Sequence, residues 1–442
     1  MTTTAVSPPP NNQPATQREI RSWYFYDFGN SAYAAVVLLA VYSAYFQGTV
    51  VGGPEGTRLW GIAVGIAMLT VAVISPVLGT IADFSGSKKR FLFIFTAICC
   101  VFTALLFFVQ AGAIFWGMAL FILAEIGYRG AQVYYNALLP EIAKPEEMGR
   151  ISGNGWAIGS AGGIVCLLIV LPLIVLIGGA FVVRLSLVIT AVFFALSTIP
   201  LFLWLREKAQ PQSLPAGENY LSLSFKRLWQ TFKKARNYRE FLKFMLAFII
   251  FNDGIIMALD FAAIIGAVLF GMEQQGLIIF IIVVQITSVI GAYVFGISAD
   301  RWGSKQSLVI SLLLMIAAVV WLYFNFSSTG FFLIGALAGF ALTGVQSVSR
   351  TMVGKLSPPG QSAEFFGLFA VAGRTSSFIG PTIYGIVAAE MAIRFAAQGE
   401  TAVVAEQMGQ RVAILTIAAF LIVGMILLLW VNEQKGIEAA NQ

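Results

Sequence analysis

Histidine is absent from the 442-residue chain. That removes histidine-based triads, most metal sites and the usual near-neutral proton switch, so any proton handling falls to carboxylates. Charge is scarce as well. Only 11% of residues are Asp, Glu, Lys or Arg, against about 25% in soluble domains. The Lys and Arg residues are dispersed among short segments and form no single patch, which excludes a nucleic-acid groove. The three cysteines, Cys99, Cys100 and Cys166, lie inside apolar runs with no metal-ligand spacing, and read as small hydrophobes. No Gly-x-x-x-x-Gly-Lys-[Ser/Thr] stretch occurs, so ATP is not the direct energy source. No catalytic constellation is present, so neither an enzyme nor a resident cofactor is expected.

What remains is apolar. Hydrophobic residues make up 58% of the chain, and 37 of them are phenylalanine. No water-soluble fold hides that much apolar surface, so the solvent is lipid. A membrane-crossing helix needs about 20 apolar residues. Twelve such spans are expected, at 22–47, 57–82, 89–111, 113–137, 149–177, 179–205, 239–270, 275–299, 304–326, 329–355, 361–389 and 408–432. Barrel-type alternation is missing, so the expected fold class is an all-α polytopic membrane protein. Residues 1–20 are polar and Pro-rich with no apolar core, and are expected to be a disordered tail rather than a signal peptide.

Basic residues set the orientation. Arg18 and Arg21 precede span 1, Lys88, Lys89 and Arg90 fill the 2–3 loop, and Lys144 and Arg150 flank the 4–5 loop. Arg301 and Lys305 mark the 8–9 loop, Lys355 the 10–11 loop and Lys435 the tail at 435–442. The opposite loops carry few bases, so both termini are expected to be cytoplasmic. Residues 206–238 hold a dense basic cluster and separate two six-span bundles, 21–205 and 239–434. Within this connector Leu221, Phe225, Leu228, Trp229 and Phe232 fall at helical spacing among lysines and arginines, the pattern of a basic amphipathic helix lying on the inner leaflet.

The two halves repeat each other. Gly79-Thr-Ile-Ala-Asp83 precedes Gly86 and three bases, and Gly296-Ile-Ser-Ala-Asp300 precedes Arg301, Gly303 and Lys305, the two aspartates lying 217 positions apart. Gln132, Pro145, Gly153 and Gly159 recur as Gln346, Pro359, Gly367 and Gly373 at an offset of 214. Tyr26-Asp27-Phe28-Gly29 faces Phe251-Asn252-Asp253-Gly254. Three matches in order argue for a duplicated six-helix unit.

This arrangement resembles the major facilitator superfamily. Tyr26-Asp27-Phe28-Gly29-Asn30-Ser31, Tyr135-Asn136-Ala137-Leu138-Leu139-Pro140-Glu141, Phe251-Asn252-Asp253-Gly254, and Gln346-Ser347-Val348-Ser349-Arg350 followed by Glu364-Phe365-Phe366-Gly367 resemble its vacuole-effluxer-like branch, whose fungal members export amino acids. The resemblance implies two pseudo-symmetric six-helix bundles with a solute site between them near mid-membrane. It also implies a latch on the loop side, with Asp83 near the start of span 11 and Asp300 near span 5 and Arg150, each carboxylate favoured by a helix N-terminus.

Ionisable residues inside the spans are costly and mark function. Glu125 and Arg129 are one turn apart on span 4 and lead to Gln132. Asp253 and Asp260 are two turns apart on span 7, and Arg374 lies midway along span 11. With Gln346, these are the substrate or coupling candidates. A polar cavity of this kind suits a zwitterionic or charged solute, and Glu125 and Asp253 are the candidate proton carriers. The competing reading is ion pairs that only hold helices together. Asp27, Asn30, Asp83, Arg150, Asp300, Arg301, Arg350 and Glu364 are the gate and latch candidates. Gly380-Pro381 is expected to kink span 11.

The expected activity is secondary active transport of a small organic solute by a functional monomer, with amino-acid efflux implied by the resemblance and proton coupling open. Transport of lipid-like or other organic solutes, or a receptor or scaffold role, is the alternative. The partners are then the solute, protons if coupled, and the bilayer: the cell membrane in a bacterium, a vacuolar or other organelle membrane in a eukaryote. If Asp83 is a latch, Asp83→Asn raises labelling of cysteine probes placed on the cytoplasmic side; unchanged labelling contradicts the latch.

Overall fold

Hydrocarbon offers no hydrogen bonds, so each apolar segment closes its own backbone as helix. The computed structural model describes residues 15–143, 147–208, 219–358 and 362–441; side chains at 83, 140, 148–150, 227, 300, 362–364, 374–376 and 441 are outside the described set. Among the described residues, twelve helices are long and apolar enough to cross a membrane. Spans 1–6 are Gln17–Val51, Gly53–Ala82, Lys88–Phe108, Ile114–Leu139, Ile151–Leu176 and Gly179–Trp204. Spans 7–12 are Arg239–Asp260, Gln274–Ala299, Ser304–Phe324, Ser328–Leu356, Ile379–Ala397 and Ala402–Leu429. Each set of six packs mainly within itself, and the two sets meet chiefly along spans 2 and 11 and spans 5 and 8. This is the major-facilitator fold. An even number of spans puts both ends and the connector helix, Tyr220–Ala235, on one face of the bundle; it is termed the connector face here, and the opposite one the far face.

Residues 1–14, most of the expected disordered tail, lie outside the described residues, whereas 17–20 and 433–441 are helical despite their polarity. Residues 17–20 are helical rather than tail, because Thr16 caps the first helix. Glu19 N–H donates to the Thr16 hydroxyl at 3.3 Å, and the Glu19 carboxylate accepts from Thr16 N–H at 2.8 Å. Residues Glu433–Asn441 form a further helix against spans 7 and 10.

Charged caps repeat at the connector face. Glu207, just after span 6, accepts from the backbone N–H groups of Lys88 and Lys89 at the start of span 3. Glu433, just after span 12, does the same for Ser304 and Lys305 at the start of span 9, at 3.2 and 2.8 Å. Lys89 Nζ reaches back to the Leu205 carbonyl at 2.7 Å, and Lys305 Nζ to that of Leu429 at 2.9 Å. Each carboxylate meets the positive end of a helix dipole while a lysine meets the negative end of the neighbouring one.

Among the described residues, spans 1, 7 and 11 are interrupted. Span 1 passes into π-helix over Ala34–Ala40 and bends at Val41. Span 7 breaks at Phe261 and resumes as Ala262–Phe270. Span 11 is two helices, Ser362–Ser376 and Ile379–Ala397. The discontinuity precedes the expected Gly380-Pro381 kink. Pro381 has no N–H to offer the Ser377 carbonyl, and its ring crowds that carbonyl, so the helix parts one turn earlier. Ser377 Oγ instead donates to the Gly373 carbonyl at 2.5 Å, closing the end of the first segment.

The bundles are sealed at the far face. A Cβ on Gly61 would collide with the Pro381 carbonyl, and one on Gly385 would lie 2.8 Å from that of Thr57, so spans 2 and 11 approach backbone to backbone. Arg58 pairs with Glu390 at 2.7 Å, Gln47 Nε2 donates to Glu406 at 2.8 Å, and Gln410 Nε2 donates to Thr57 Oγ1 at 2.8 Å. With Gln274 Nε2 donating to the Val41 carbonyl at 3.3 Å, these contacts join the bundles between the membrane centre and this face.

Removing the cap of span 9 tests the repeated device. Glu433→Ala is expected to cost about 1 kcal/mol and lower the thermal midpoint in detergent, while Glu438→Ala, at an exposed position of the same helix, leaves it unchanged. Equal effects would contradict the cap.

Candidate functional site

The centre of the molecule is built where the irregular spans meet span 4. Glu125 is 1% exposed, and its Oε1 accepts from Arg129 Nε at 2.7 Å, one turn away. Its Oε2 has no hydrogen-bond partner. Tyr33, at the end of the first α-helical segment of span 1, stacks on Tyr128 at 4.7 Å between ring centres. The Arg129 guanidinium lies 5.2 Å from the Tyr128 ring centre. The buried Tyr33 hydroxyl lies beside the Glu125 carboxylate and interacts with it.

Asp260 approaches from the other bundle. It is the last residue before the break at Phe261, is 5% exposed, and interacts electrostatically with both Arg129 and Glu125. Its Oδ2 is unpartnered. Trp60 Nε1 donates to the Asp260 carbonyl at 2.9 Å, which ties the broken turn of span 7 to span 2. The described side chains of this cluster thus hold two acids and one base across the bundle interface.

Asp253 has a different neighbour. It is buried and faces the backbone amide of Gly380, second residue of the outer segment of span 11, and its Oδ1 is unpartnered. Asn252 Nδ2 lies 3.4 Å from the Gly373 carbonyl and 3.5 Å from Ser377 Oγ, at the end of the inner segment. The Asn252-Asp253 pair therefore brackets the discontinuity: the carboxamide meets the carbonyl end of one half-helix and the carboxylate meets the N–H end of the other. A Cβ at Gly380 would lie 2.9 Å from Met257 Cγ and 3.0 Å from the Asp253 carbonyl, so glycine is what lets the half-helix seat there.

The first bundle repeats the contact with a charge in place of the amide. Asp27 is half-buried and accepts from Asn30 Nδ2 at 3.4 Å. A Cβ at Gly159 would lie 2.5 Å from Asp27 Oδ2, so Asp27 packs on Gly159 as Asn252 packs on Gly373. Arg350, exposed near the end of span 10, acts on Asp27 across the interface without a direct ion pair. Asn30 is buried with its Oδ1 unpartnered. Gln132 and Gln346 are half-buried, and Arg301 is exposed at the connector face. The side chains of Arg374, Asp83, Arg150, Asp300 and Glu364 lie outside the described residues.

Several polar groups went unnoticed in the sequence. Glu141 pairs with Lys88 at 2.6 Å and accepts from Lys208 N–H, and Glu19 accepts from Arg206 N–H. Glu207 and Glu433 carried a usable signal, since each is an acid placed just past the sixth span of its half. Gln47, Glu390 and Glu406 carried none, because their partners come from the other bundle.

The Vacuole effluxer Atg22 like family model matches residues 60–441. The chain belongs to that family. It is similar to the uncharacterized MFS-type transporter YxiO of Bacillus subtilis, 27% identical over 436 residues, 96% of this chain and 97% of that one. It is also 27% identical over 263 residues to autophagy-related protein 22-1 of Aspergillus niger, a match covering 54% of this chain and 42% of the fungal one. Among solved structures, a bacterial homolog of the human lysosomal transporter Spinster, inward-facing and unoccupied, superposes with a TM-score of 0.74 at 14% identity, covering 97% and 99% of the two chains. The nucleoside transporter NupG gives 0.65 at 15% identity, covering 93% and 99%. Those two likenesses are of fold. The family and the MFS-type relative make this protein a membrane transporter and not an enzyme.

Gly380→Ala is expected to push the outer half-helix of span 11 off Asp253 and cost about 1–3 kcal/mol, read as a fall in thermal midpoint. Gly367→Ala, where a Cβ would meet nothing within 4 Å, is the control. Equal behaviour of the two would contradict the seating of Asp253 on this segment.

Proposed function

We propose that this effluxer-family transporter is a secondary active carrier that moves a small ammonium-bearing solute, in the simplest case an amino acid, out of the compartment it faces by alternating access. The observation that carries the reading is the Glu125–Arg129–Asp260 cluster, in which an acid of one bundle faces an acid–base pair of the other. A charge buried without a partner is costly. Two acids and one base invite a further cation, either a proton or the ammonium group of the solute, while the guanidinium is suited to a carboxylate. Rocking the bundles apart separates Asp260 from Arg129, so occupancy of the cluster and the position of the bundles are linked.

With no histidine in the chain, the proton is carried by a carboxylate. Asp253 is the second candidate, since it sits at the parting of span 11, where half-helices rearrange. The concentration of Lys and Arg on the connector face supports placing that face in the cytoplasm. Latch and gate roles go to Asp83 near the start of span 11, to Asp300 with Arg150 and Arg301, and to Asp27, Asn30, Arg350 and Glu364; Gln132, Gln346 and Arg374 are proposed to line the solute path. The unit of transport is proposed to be the monomer.

A second reading has one observation in its favour. An apolar cavity inside the second bundle, bordered by Ala258, Ile265, Phe280, Met315 and Phe331 and reached by Leu39 of span 1, suits an apolar or lipid-like solute. Proteoliposome uptake of a labelled amino-acid panel against an imposed proton gradient separates the two. The proposal predicts saturable, gradient-driven flux that falls at least tenfold in Glu125→Gln and in Asp253→Asn. Flux of amphiphiles but not amino acids supports the second reading. Amino-acid flux that keeps its gradient dependence in both variants contradicts the carboxylate coupling.

A further inference from the structure

The connector helix has two faces already accounted for and a third that is not. Ser224 and Ala235 are buried, and the helix packs on the connector-face end of span 2, the inner segment of span 11 and span 7. Leu221, Phe225, Trp229 and Phe232 point away from the bundle and are 58%, 45%, 67% and 43% exposed. At about 100° per residue these four fall within one arc of about 80°. Trp229 and Phe232 stack on each other at 5.9 Å within it. Exposed Lys226 and Lys233 lie along one border of the arc, the helix ends in Lys233 and Lys234, and Arg236 and Arg239 follow. No acid occurs from Tyr220 to Arg239.

A soluble face would not present four large apolar side chains in a row beside a purely basic border. The helix packs on the connector-face ends of membrane-crossing spans, so the occupant of matching chemistry is the leaflet: acyl chains for the stripe and anionic headgroups for the lysines. We propose that the connector helix is an anionic-phospholipid docking element that, once seated in the leaflet, holds the contacts it makes here with span 2 and the inner segment of span 11, and so favours this conformer, closed at the far face. This rests on the membrane-embedded fold alone and is independent of the solute and of proton coupling.

The test uses the full chain with a single added cysteine, Phe225→Cys, carrying an environment-sensitive fluorophore, in nanodiscs of phosphatidylcholine alone or with phosphatidylglycerol. Leu221→Cys gives the same readout if the first variant misfolds, and Gln230→Cys on the polar side serves as the aqueous control. Docking predicts a blue-shifted emission and at least twofold stronger quenching by spin-labelled lipid in the anionic discs, lost with Lys233→Glu. Water-like emission in both discs overturns the proposal. So does a protected fluorophore that lipid nitroxides fail to quench, which would place protein, such as a second copy, on the stripe. A spin-label pair at Gln110→Cys and Glu400→Cys on the two bundles reads the clamp. The short-distance population is expected to rise at least twofold with phosphatidylglycerol, and indifference to lipid overturns that part.

Discussion

An ionised carboxylate in hydrocarbon has no water to solvate it, so it persists only where a cation, a proton or a helix N-terminus takes the place of water. That constraint organises the interior of this transporter. Among the described residues, the acids buried near mid-span lie where one of the three can be supplied: Glu125 beside Arg129, Asp260 facing the same arginine from the other bundle, and Asp253 at the exposed N–H end of a half-helix. None of the three is fully satisfied, since each keeps one unpartnered oxygen. A scaffold built only for rigidity would pair them off completely. In the proposed mechanism these lone oxygens are where a proton or the ammonium group of a solute would be taken.

The irregular helices follow from the same requirement. Backbone groups are available to solute or carboxylate only where the helical ladder is interrupted, and interruption is tolerated only inside the protein. Spans 1 and 7 occupy equivalent places in the two halves, and both lose regular α-geometry near the membrane centre. Span 11 parts at Ser377 and Phe378 and span 5 does not, because Pro381 has no counterpart in the first half. The duplicated unit has diverged in the same way at the helix contacts. Asp27 on Gly159 and Asn252 on Gly373 are the same contact with a charge on one side only. The half that kept the charge there faces Arg350 across the interface; the half with the amide moved its acid one residue on, to Asp253, and into the break.

Much of this was legible in the chain itself, because hydropathy is a local property. The twelve spans and the family motifs each follow from runs within about 20 residues, and the 6+6 division follows from comparing such runs 214–217 positions apart. Span ends were less legible. The first helix begins several residues before the apolar run, because Thr16 and Glu19 cap it, and the last segment at 433–441 folds as a docked helix despite its polarity. The sequence placed Asp253 and Asp260 on one face by spacing, yet the turn of backbone at Phe261 and the parting of span 11 send them to different partners. Nothing in a single sequence joins Trp60 to the Asp260 carbonyl or Arg58 to Glu390, since those contacts exist only once the bundles meet.

The central claim is that the charge cluster couples one bundle to the other across their interface. A double-mutant cycle of Arg129→Gln and Asp260→Asn on unfolding free energy in detergent tests it without knowledge of the solute. Coupling predicts that the two substitutions fail to add, by about 0.5–3 kcal/mol. Additivity within experimental error would show that Asp260 and Arg129 act independently, and would contradict the account.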